Sequence, residues 1–175
     1  MQPFELFSFC PRCGKPSNME RAAIPFRCAG CNLTLFFNPT VSASAFVIQE
    51  DGDILLIRRA KEPGKGLLGT IGGFVDAGES AEAGLRREIR EEVHLEVTRL
   101  EFLCSFPNQY HYAGITYPVL DLFFICWAGS TTSARASEEV LSLASLPLAH
   151  INAQDMAFES MRQALLMLKS NHPAA

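Results

Sequence analysis

Three glutamates on one side of a predicted helix are the feature that most restricts the fold of this chain. Glu88, Glu91 and Glu92 follow one another at i, i+3 and i+4, a spacing that places their carboxylates on one helical face. The apolar residues of the same segment form a stripe: Ala81, Leu85, Ile89 and Val93. At about 100° per residue the glutamates line one edge of this stripe. The pattern predicts a helix that borders a cleft, with an ordinary solvated helix as the alternative.

The clustered carboxylates predict a divalent-cation site, because they would otherwise repel one another. Oxygen-only anionic clusters suit Mg²⁺ or Mn²⁺, which prefer carboxylates, keep several waters and share themselves with substrate phosphates. Residues 72–80 form a glycine-punctuated loop before the helix, with Ser80 as its N-cap. The glycines permit close backbone approach, so N–H groups and a carbonyl can reach a metal or an anion.

Together the loop and the helix resemble the signature of the Nudix hydrolases, G-x5-E-x7-R-E-U-x-E-E-x-G-U with U aliphatic. The match runs from Gly73 to Leu95, with Glu79, Arg87 and the three glutamates at the family's positions. One position departs, because His94 stands where the family has glycine. Histidine tolerates a left-handed backbone better than most residues. The departure therefore bears on the end of the helix more than on the chemistry.

The resemblance implies a fold and a reaction. The fold is a Nudix-like α/β/α sandwich with a mixed sheet, and the reaction is hydrolysis of the diphosphate bond in a nucleoside diphosphate linked to another moiety. The resemblance also implies that Glu88, Glu91 and Glu92 hold the Mg²⁺ or Mn²⁺, and that Gly73 contributes its backbone. Metal ions there would neutralise the diphosphate oxygens and position the attacking water.

The resemblance gives roles to further residues of the same segment. Arg87 would orient one of the glutamates and Glu79 would brace the loop, although both could instead be purely structural. The general base varies within such folds, so three carboxylates remain candidates for it: Glu88, Glu138 and Glu139.

Two C-x2-C pairs, separated by 14 residues, give the second strong signal. They are formed by Cys10, Cys13, Cys28 and Cys31. Their spacing is close to that of a four-cysteine zinc ribbon, and disulfides are the alternative. A closed shell of four thiolates leaves no open position for water, so this zinc is expected to be structural. Cys104 and Cys126 lie in apolar runs and are predicted to be buried core thiols.

Length and composition agree with two units, a zinc ribbon at 1–38 and a Nudix hydrolase domain at 39–175. The chain of 175 residues is 48% apolar and has a net charge of −4, which argues against broad affinity for nucleic acid or anionic lipid. No apolar run reaches the roughly 18 residues of a membrane span. The first residues lack the pattern of a signal peptide. The cytoplasm is the expected location, and a homodimer is compatible with the sequence.

A zinc ribbon followed by a Nudix domain is similar to the NADH pyrophosphatase branch. That branch carries a Ser-Gln-Pro-Trp-Pro-Phe-Pro tract after the signature, and here only Ser105 and Pro107 coincide with it. The ribbon supports the branch and the tract does not. The expected substrate is therefore a dinucleotide or nucleotide-sugar, of which NADH and ADP-ribose are examples. A nucleotide cap on RNA also belongs to this class.

Two segments are candidates for binding the substrate. Arg58 begins a group of basic residues that could neutralise a polyphosphate, with solvated charges at a strand end as the alternative. The group consists of Arg58, Arg59, Lys61 and Lys65. Tyr110 and Tyr112 lie in an aromatic segment that could stack on a nucleobase. The alternative is a hairpin whose aromatic rings pack on each other.

The remaining pattern predicts strands at 41–49, 54–59, 97–106 and 116–127, and a final helix at 152–169. An Asp-Gly pair at residues 51 and 52 favours a hairpin turn between the first two strands. Two functions remain, a cytosolic Nudix hydrolase and a nucleotide-sensing or RNA-binding module whose ribbon contacts a partner. The intact glutamate triad favours the enzyme.

Overall fold

The chain forms two units when its internal contacts are grouped. The computed structural model describes residues 1–16, 25–128 and 130–171. We call Met1–Thr40 with Gln109–Pro118 the cysteine unit, and Val41–Asn108 with Val119–Ala175 the sheet unit. A domain boundary between residues 38 and 39 stays a prediction. The contacts group residues 109–118 with the start of the chain, which the sequence did not indicate.

A mixed sheet dominates the fold. The strands of the described residues are β1 (Phe26–Arg27), β2 (Thr34–Leu35), β3 (Thr40–Ile48), β4 (Ile54–Arg59), β5 (Leu68–Gly69), β6 (Ile71–Phe74), β7 (Val97–Tyr112), β8 (Ile115–Ala128) and β9 (Val140–Leu146). β1 and β2 form a small antiparallel sheet of their own. The larger sheet has the order β5-β4-β3-β8-β7, with β6 paired to β3 and β9 paired to β4.

The predicted hairpin between β3 and β4 is confirmed. Gly52 donates its N–H to the carbonyl of Gln49 at 3.0 Å, and Gln49 donates to the carbonyl of Asp53 at 2.9 Å. Ile48 then pairs with Ile54. Gly52 has a φ of 88°, a conformation that glycine adopts without steric cost. The Asp-Gly pair therefore fixes the register of the two strands.

Helices pack on both faces of the sheet unit, so the predicted α/β/α sandwich is confirmed. The first helix, α1 (Ala81–Val93), buries Leu85 and Ile89 in a core shared with Ala45 of β3. The second, α2 (Glu159–Asn171), buries Leu165 in a separate core shared with Phe46. Successive residues of a strand face opposite sides, so β3 supplies both cores. In the described part of the chain, no helix is long and apolar enough to cross a bilayer.

Two element boundaries differ from the prediction. The final helix begins at Glu159, because the preceding segment forms a 3-10 turn at Ala153–Asp155 that Asn152 caps through its side chain. β7 continues to Tyr112, six residues beyond the predicted end. Tertiary pairing with β8 extends it through a polar stretch that sequence periodicity alone assigns to a loop.

His94 ends α1 in the left-handed conformation, with φ 57° and ψ 36°, and its N–H donates to the carbonyl of Arg90. A Cβ is mildly strained there, so His94→Gly is expected to raise the free energy of unfolding by up to about 1 kcal/mol. The urea midpoint measures this change. His94→Ala is the control, because it removes the imidazole and keeps the Cβ. Equal stabilisation by both variants would contradict the backbone explanation.

Candidate active site

The glycine loop and the helix are held together by close packing of backbone against carboxylate. Ser80 accepts the N–H of Ala83 at 3.2 Å and caps α1. A Cβ on Gly73 would lie 2.6 Å from the carboxyl carbon of Glu88. Any larger residue would therefore push Glu88 away. A Cβ on Gly72 would lie 2.3 Å from the carbonyl oxygen of Ala43, so β6 can approach both β3 and α1 only with glycine at these positions.

Arg87 is the centre of an ion-pair network. Its guanidinium donates to both carboxylate oxygens of Glu79, at 2.9 and 3.0 Å. It also donates to Glu88 at 2.8 Å and to Glu91 at 3.1 Å. A further bond reaches the carbonyl of Phe74 at 3.1 Å. One cation thus fixes two of the three predicted metal-binding glutamates and ties the loop to the helix.

The network sets the charge state of its members. Hydrogen bonding to Arg87 lowers the pKa of Glu79, which also accepts the N–H of Asp76 at 3.1 Å. The carboxylates of Glu79, Glu88 and Glu91 raise the pKa of Arg87. Burial raises the pKa of Glu88, although Arg87 opposes this shift. Arg87 thus favours the ionised form of both carboxylates, and at Glu88 it acts against the cost of burial.

Glu92 is the acid of the site whose ionised form is least favourable. Burial raises its pKa to about 7, even though it accepts the N–H of Gly72 at 3.0 Å. The negative charges of Glu88 and Glu139 raise it further. A carboxylate in this position gains most from a cation, because a cation removes both the desolvation cost and the repulsion. The donor set of partly buried, oxygen-only ligands fits a hard divalent ion.

The pKa of Glu92 predicts a pH-dependent stability in the absence of added divalent ions. Its pKa in the folded state, about 7, lies above the ordinary value of 4.5 for a glutamate. The folded state therefore binds the proton more tightly, and this contribution is lost as the pH rises from 4.5 to 7. The free energy of unfolding should fall by roughly 3 kcal/mol over that range. Urea unfolding of wild type and Glu92→Gln measures it, and the same pH slope in both proteins would contradict the assignment.

Glu139 is brought to the same region by backbone anchors on either side. Ser137 donates its N–H to the carbonyl of Glu92 at 2.9 Å, and Val140 pairs with Arg59 across β9 and β4. The exposed carboxylate of Glu139 pairs with Lys61 at 2.5 Å. Its charge raises the pKa of both Glu88 and Glu92. Of the two candidate carboxylates Glu138 and Glu139, the charge of Glu139 thus acts on the glutamates of the site.

The basic residues that the sequence groups together separate in the structure. Arg58 is exposed and donates to the carbonyl of Gly66 at 3.1 Å. Arg59 donates to the carbonyl of Pro63 at 2.9 Å and lies 4.9 Å from the ring centroid of Phe158. The charge of Arg59 lowers the pKa of Glu92. Arg58 and Arg59 are adjacent in β4, where successive side chains face opposite sides of the sheet. Arg58 as a substrate contact stays a prediction.

In the cysteine unit, four sulfur atoms converge. The Sγ atoms of Cys10, Cys13, Cys28 and Cys31 all lie within 4.8 Å of one another. Each pair is presented by a similar turn, in which Gly14 donates to the carbonyl of Cys10 and Asn32 to that of Cys28, both at 2.9 Å. All four cysteines are free of disulfides. The closest cross-pair distances are 3.6 and 3.7 Å, near the ~3.8 Å that a tetrahedral site with metal–sulfur bonds of about 2.3 Å requires.

The other cysteine predictions agree with the structure. Cys104 and Cys126 are buried, one in each core of the sheet unit. Burial raises the pKa of Cys104 to about 11 and that of Cys126 to about 12. Both therefore stay protonated at neutral pH and behave as small apolar side chains.

The aromatic segment belongs to the cysteine unit. Tyr110 and Tyr112 lie on β7 near its turn with β8, and their rings stack at 6.4 Å between centroids. Thr116 donates its N–H to the carbonyl of Met1 at 2.8 Å, and its hydroxyl shares a hydrogen bond of 2.8 Å with Nδ1 of His111. The rings thus pack on each other in a hairpin, which was the alternative to an open platform. Their role in base stacking stays a prediction.

The sequence of this chain is similar to that of known proteins. The family model described as the NUDIX domain matches residues 38–167. A protein named NAD-capped RNA hydrolase NudC from Pseudomonas putida is 38% identical over 97 residues, which cover 55% of this chain and 34% of that protein. This chain thus spans about a third of the length of the relatives it matches.

Solved structures give the same fold. A NUDIX hydrolase from Nitrosomonas europaea superposes with a TM-score of 0.69 at 22% identity and covers 94% of this chain and 93% of its own. A MutT NUDIX hydrolase from Burkholderia pseudomallei has a TM-score of 0.61 at 28% identity, with 75% and 98% of the two chains covered. The long coverage of the first includes residues outside the family match.

Proposed function

Since the chain belongs to the NUDIX domain family, we propose that it is a hydrolase that cleaves the diphosphate bond of a nucleoside diphosphate linked to another moiety. The observation that carries this proposal is the network around Arg87, which holds Glu88 and Glu91 in place at 2.8 and 3.1 Å. A purely structural helix would gain nothing from keeping Glu92 beside them, where burial raises its pKa to about 7.

Glu88, Glu91 and Glu92, with the backbone of Gly73, would hold Mg²⁺ or Mn²⁺. A bound divalent ion would supply neutralisation of the diphosphate oxygens and activation of water. The residues of the chain prepare this site. Arg87 prevents Glu88 and Glu91 from turning away from each other, and the N–H of Gly72 orients Glu92. Preorganisation of this kind lowers the cost of assembling the charged transition state.

Glu139 is the carboxylate that we assign as the proton acceptor. Glu88 already accepts a hydrogen bond from Arg87, whereas Glu139 is exposed and is held at the edge of the site by Lys61. In the reaction, the oxygen of water forms a bond to one phosphorus, Glu139 takes the proton, and the bond from that phosphorus to the bridging oxygen breaks. Lys61 acts as a positioning residue for Glu139.

This role predicts that Glu139→Gln lowers kcat by about 10²-fold with little change in KM. Glu138→Gln is the matched control, because it removes the neighbouring exposed carboxylate. Equal losses in the two variants would show that general surface charge is responsible, and Glu139 would then not be the acceptor.

We further propose that the four cysteines hold one structural zinc ion. Four thiolates in a tetrahedral arrangement are a donor set typical of structural zinc sites. Among its described residues, the cysteine unit has one buried side chain in its core cluster besides cysteines, that of Phe26. Cys10 and Cys28 are buried and Cys13 is exposed, so the cluster lies near the surface of its unit.

For the substrate, we propose a dinucleotide of the NAD type. The relatives that match over 97 residues carry the name NAD-capped RNA hydrolase, which makes NADH, NAD⁺ and NAD-capped RNA the first compounds to examine. ADP-ribose and other nucleotide-sugars share the same diphosphate. Each contains a nucleoside diphosphate joined to a second group.

The test is incubation of the purified chain with Mg²⁺ or Mn²⁺ and a panel of substrates, followed by separation of the products. The panel comprises NADH, NAD⁺, NAD-capped RNA, ADP-ribose, FAD and dinucleoside polyphosphates. Release of a nucleoside monophosphate from a panel member is the expected result. Binding of nucleotides without turnover, at every metal concentration, would instead identify a sensor and would overturn the proposal.

A further inference from the structure

β7 is the outer strand of the large sheet. Among the described strands it has one neighbour, β8, and the sheet order ends with it. Pro107 lies within this strand, as is usual only where a backbone N–H has no ladder partner. Side chains near its start are exposed to solvent, with Arg99 at 61% and Glu101 at 52% exposure, and Phe102 is 59% exposed. An edge of this kind can pair with another strand.

The sequence of this edge is complementary to itself. When two identical antiparallel strands are related by a two-fold axis, the residue before the axis faces the residue after it in the other copy. With the axis at Leu100, Arg99 lies opposite Glu101 of the second copy, and Glu101 opposite its Arg99. Thr98 and Phe102 then oppose each other on the other face. The two-fold axis therefore creates two Arg99–Glu101 pairs of opposite charge on one face and two contacts between Thr98 and Phe102 on the other.

The side chains are already arranged for such pairing. Arg99 donates to Glu101 in the same strand at 2.9 Å, and its guanidinium lies 4.1 Å from the ring centroid of Trp127. Cation and anion therefore share one face of the sheet. The ring of Phe102 meets Phe124 edge-on at 5.6 Å and so presents a fixed apolar surface. Charged residues can also protect an edge from pairing, but here the two signs alternate about Leu100, so in a two-fold pair each charge lies opposite a charge of the other sign.

We propose that this chain forms a two-fold dimer by antiparallel pairing of β7 with β7 of a second copy, centred on Leu100. The occupant of the edge is thus a second copy of the same chain. The ion pairs between Arg99 and Glu101 of opposite copies fix the register, because a shift by one residue would place each charge on the wrong face of the sheet.

Sedimentation equilibrium of the full chain with its zinc bound tests this proposal. We expect a dimer for the wild type at about 10 μM. Glu101→Lys and Arg99→Glu should each weaken the dimer by on the order of tenfold or more, because the two-fold axis places two like-charged pairs opposite each other. The double variant Arg99→Glu with Glu101→Arg should restore the dimer, because it reverses both signs together.

Thermal unfolding followed by circular dichroism shows whether each variant remains folded. A matched control is Arg162→Glu with Glu159→Arg, which reverses an ion pair of α2, outside the edge strand, and should leave the association unchanged. A wild type that stays monomeric at about 100 μM, or a dimer that folded single variants leave intact, would overturn the proposal. Failure of the charge-swapped double variant to associate, while folded, would overturn the register.

Discussion

Glu92→Gln is expected to lower kcat by at least about 10²-fold while KM changes only a few-fold. The substitution keeps the shape of the side chain and an oxygen for the N–H of Gly72, so the loss of charge is its principal effect. That charge acts mainly on the transition state, where the diphosphate and the attacking oxygen must be neutralised together. Steady-state kinetics on the best substrate of the panel measure both constants.

The stability of the same variant separates a chemical loss from a folding loss. Without added divalent ions above pH 7, Glu92→Gln should be more stable than wild type, because burial of the Glu92 carboxylate is unfavourable. Glu96→Gln is the control, since Glu96 lies just after α1 and pairs with Arg90 at the surface. Turnover of Glu92→Gln within about fivefold of wild type would remove Glu92 from the proposed site.

Cys13→Ser is expected to lose the roughly one equivalent of zinc that we propose for each chain, and with it the order of the cysteine unit. The buried residues of the unit's core cluster are Cys10, Phe26 and Cys28. Two of these three are cysteines of the proposed zinc site. The core formed by the described residues is too small to offset the conformational entropy of a unit of about 50 residues, so we expect metal binding to supply most of the folding energy.

Elemental analysis and hydrogen exchange measure the two effects. Exchange should rise in residues 109–118 as well as near the cysteines, because that segment belongs to the same unit. Cys13 is the best of the four to replace, since it is exposed and its loss leaves no cavity. Cys104→Ala, a change in the sheet unit, should retain the zinc. Wild-type protein without zinc, with its four cysteines in disulfides by mass spectrometry, would contradict the proposal.

Much of the candidate site could be predicted because its residues are close in sequence. The spacing of Glu88, Glu91 and Glu92 on one helix, the cap at Ser80 and the left-handed end at His94 depend on local geometry. Local geometry is repeated wherever the same residues occur at the same spacing. The four cysteines follow the same rule within each pair, and the convergence of the two pairs follows from the coordination number of one ion.

The direction of Arg87 shows where a local rule ends. By helical angle alone this residue points away from the apolar stripe and towards solvent. In the structure its long side chain turns back to bond Glu79, Glu88 and Glu91, because four methylene and guanidinium torsions can reach a charge that the Cα direction does not indicate. The position of Arg87 in the Nudix signature indicated this role, whereas its angle on the helix did not.

The sequence by itself therefore determined the elements that carry the chemistry: the acidic helix, the glycine loop, the cysteine pairs and the strand pattern on which the sandwich is built. The tertiary structure alone decided which distant residues join them. It brought Glu139 to the end of the helix and grouped residues 109–118 with the cysteine unit. The reason is that contacts between residues far apart in sequence depend on strand register and on packing. Their energies are sums over many side chains, so no single sequence motif predicts them.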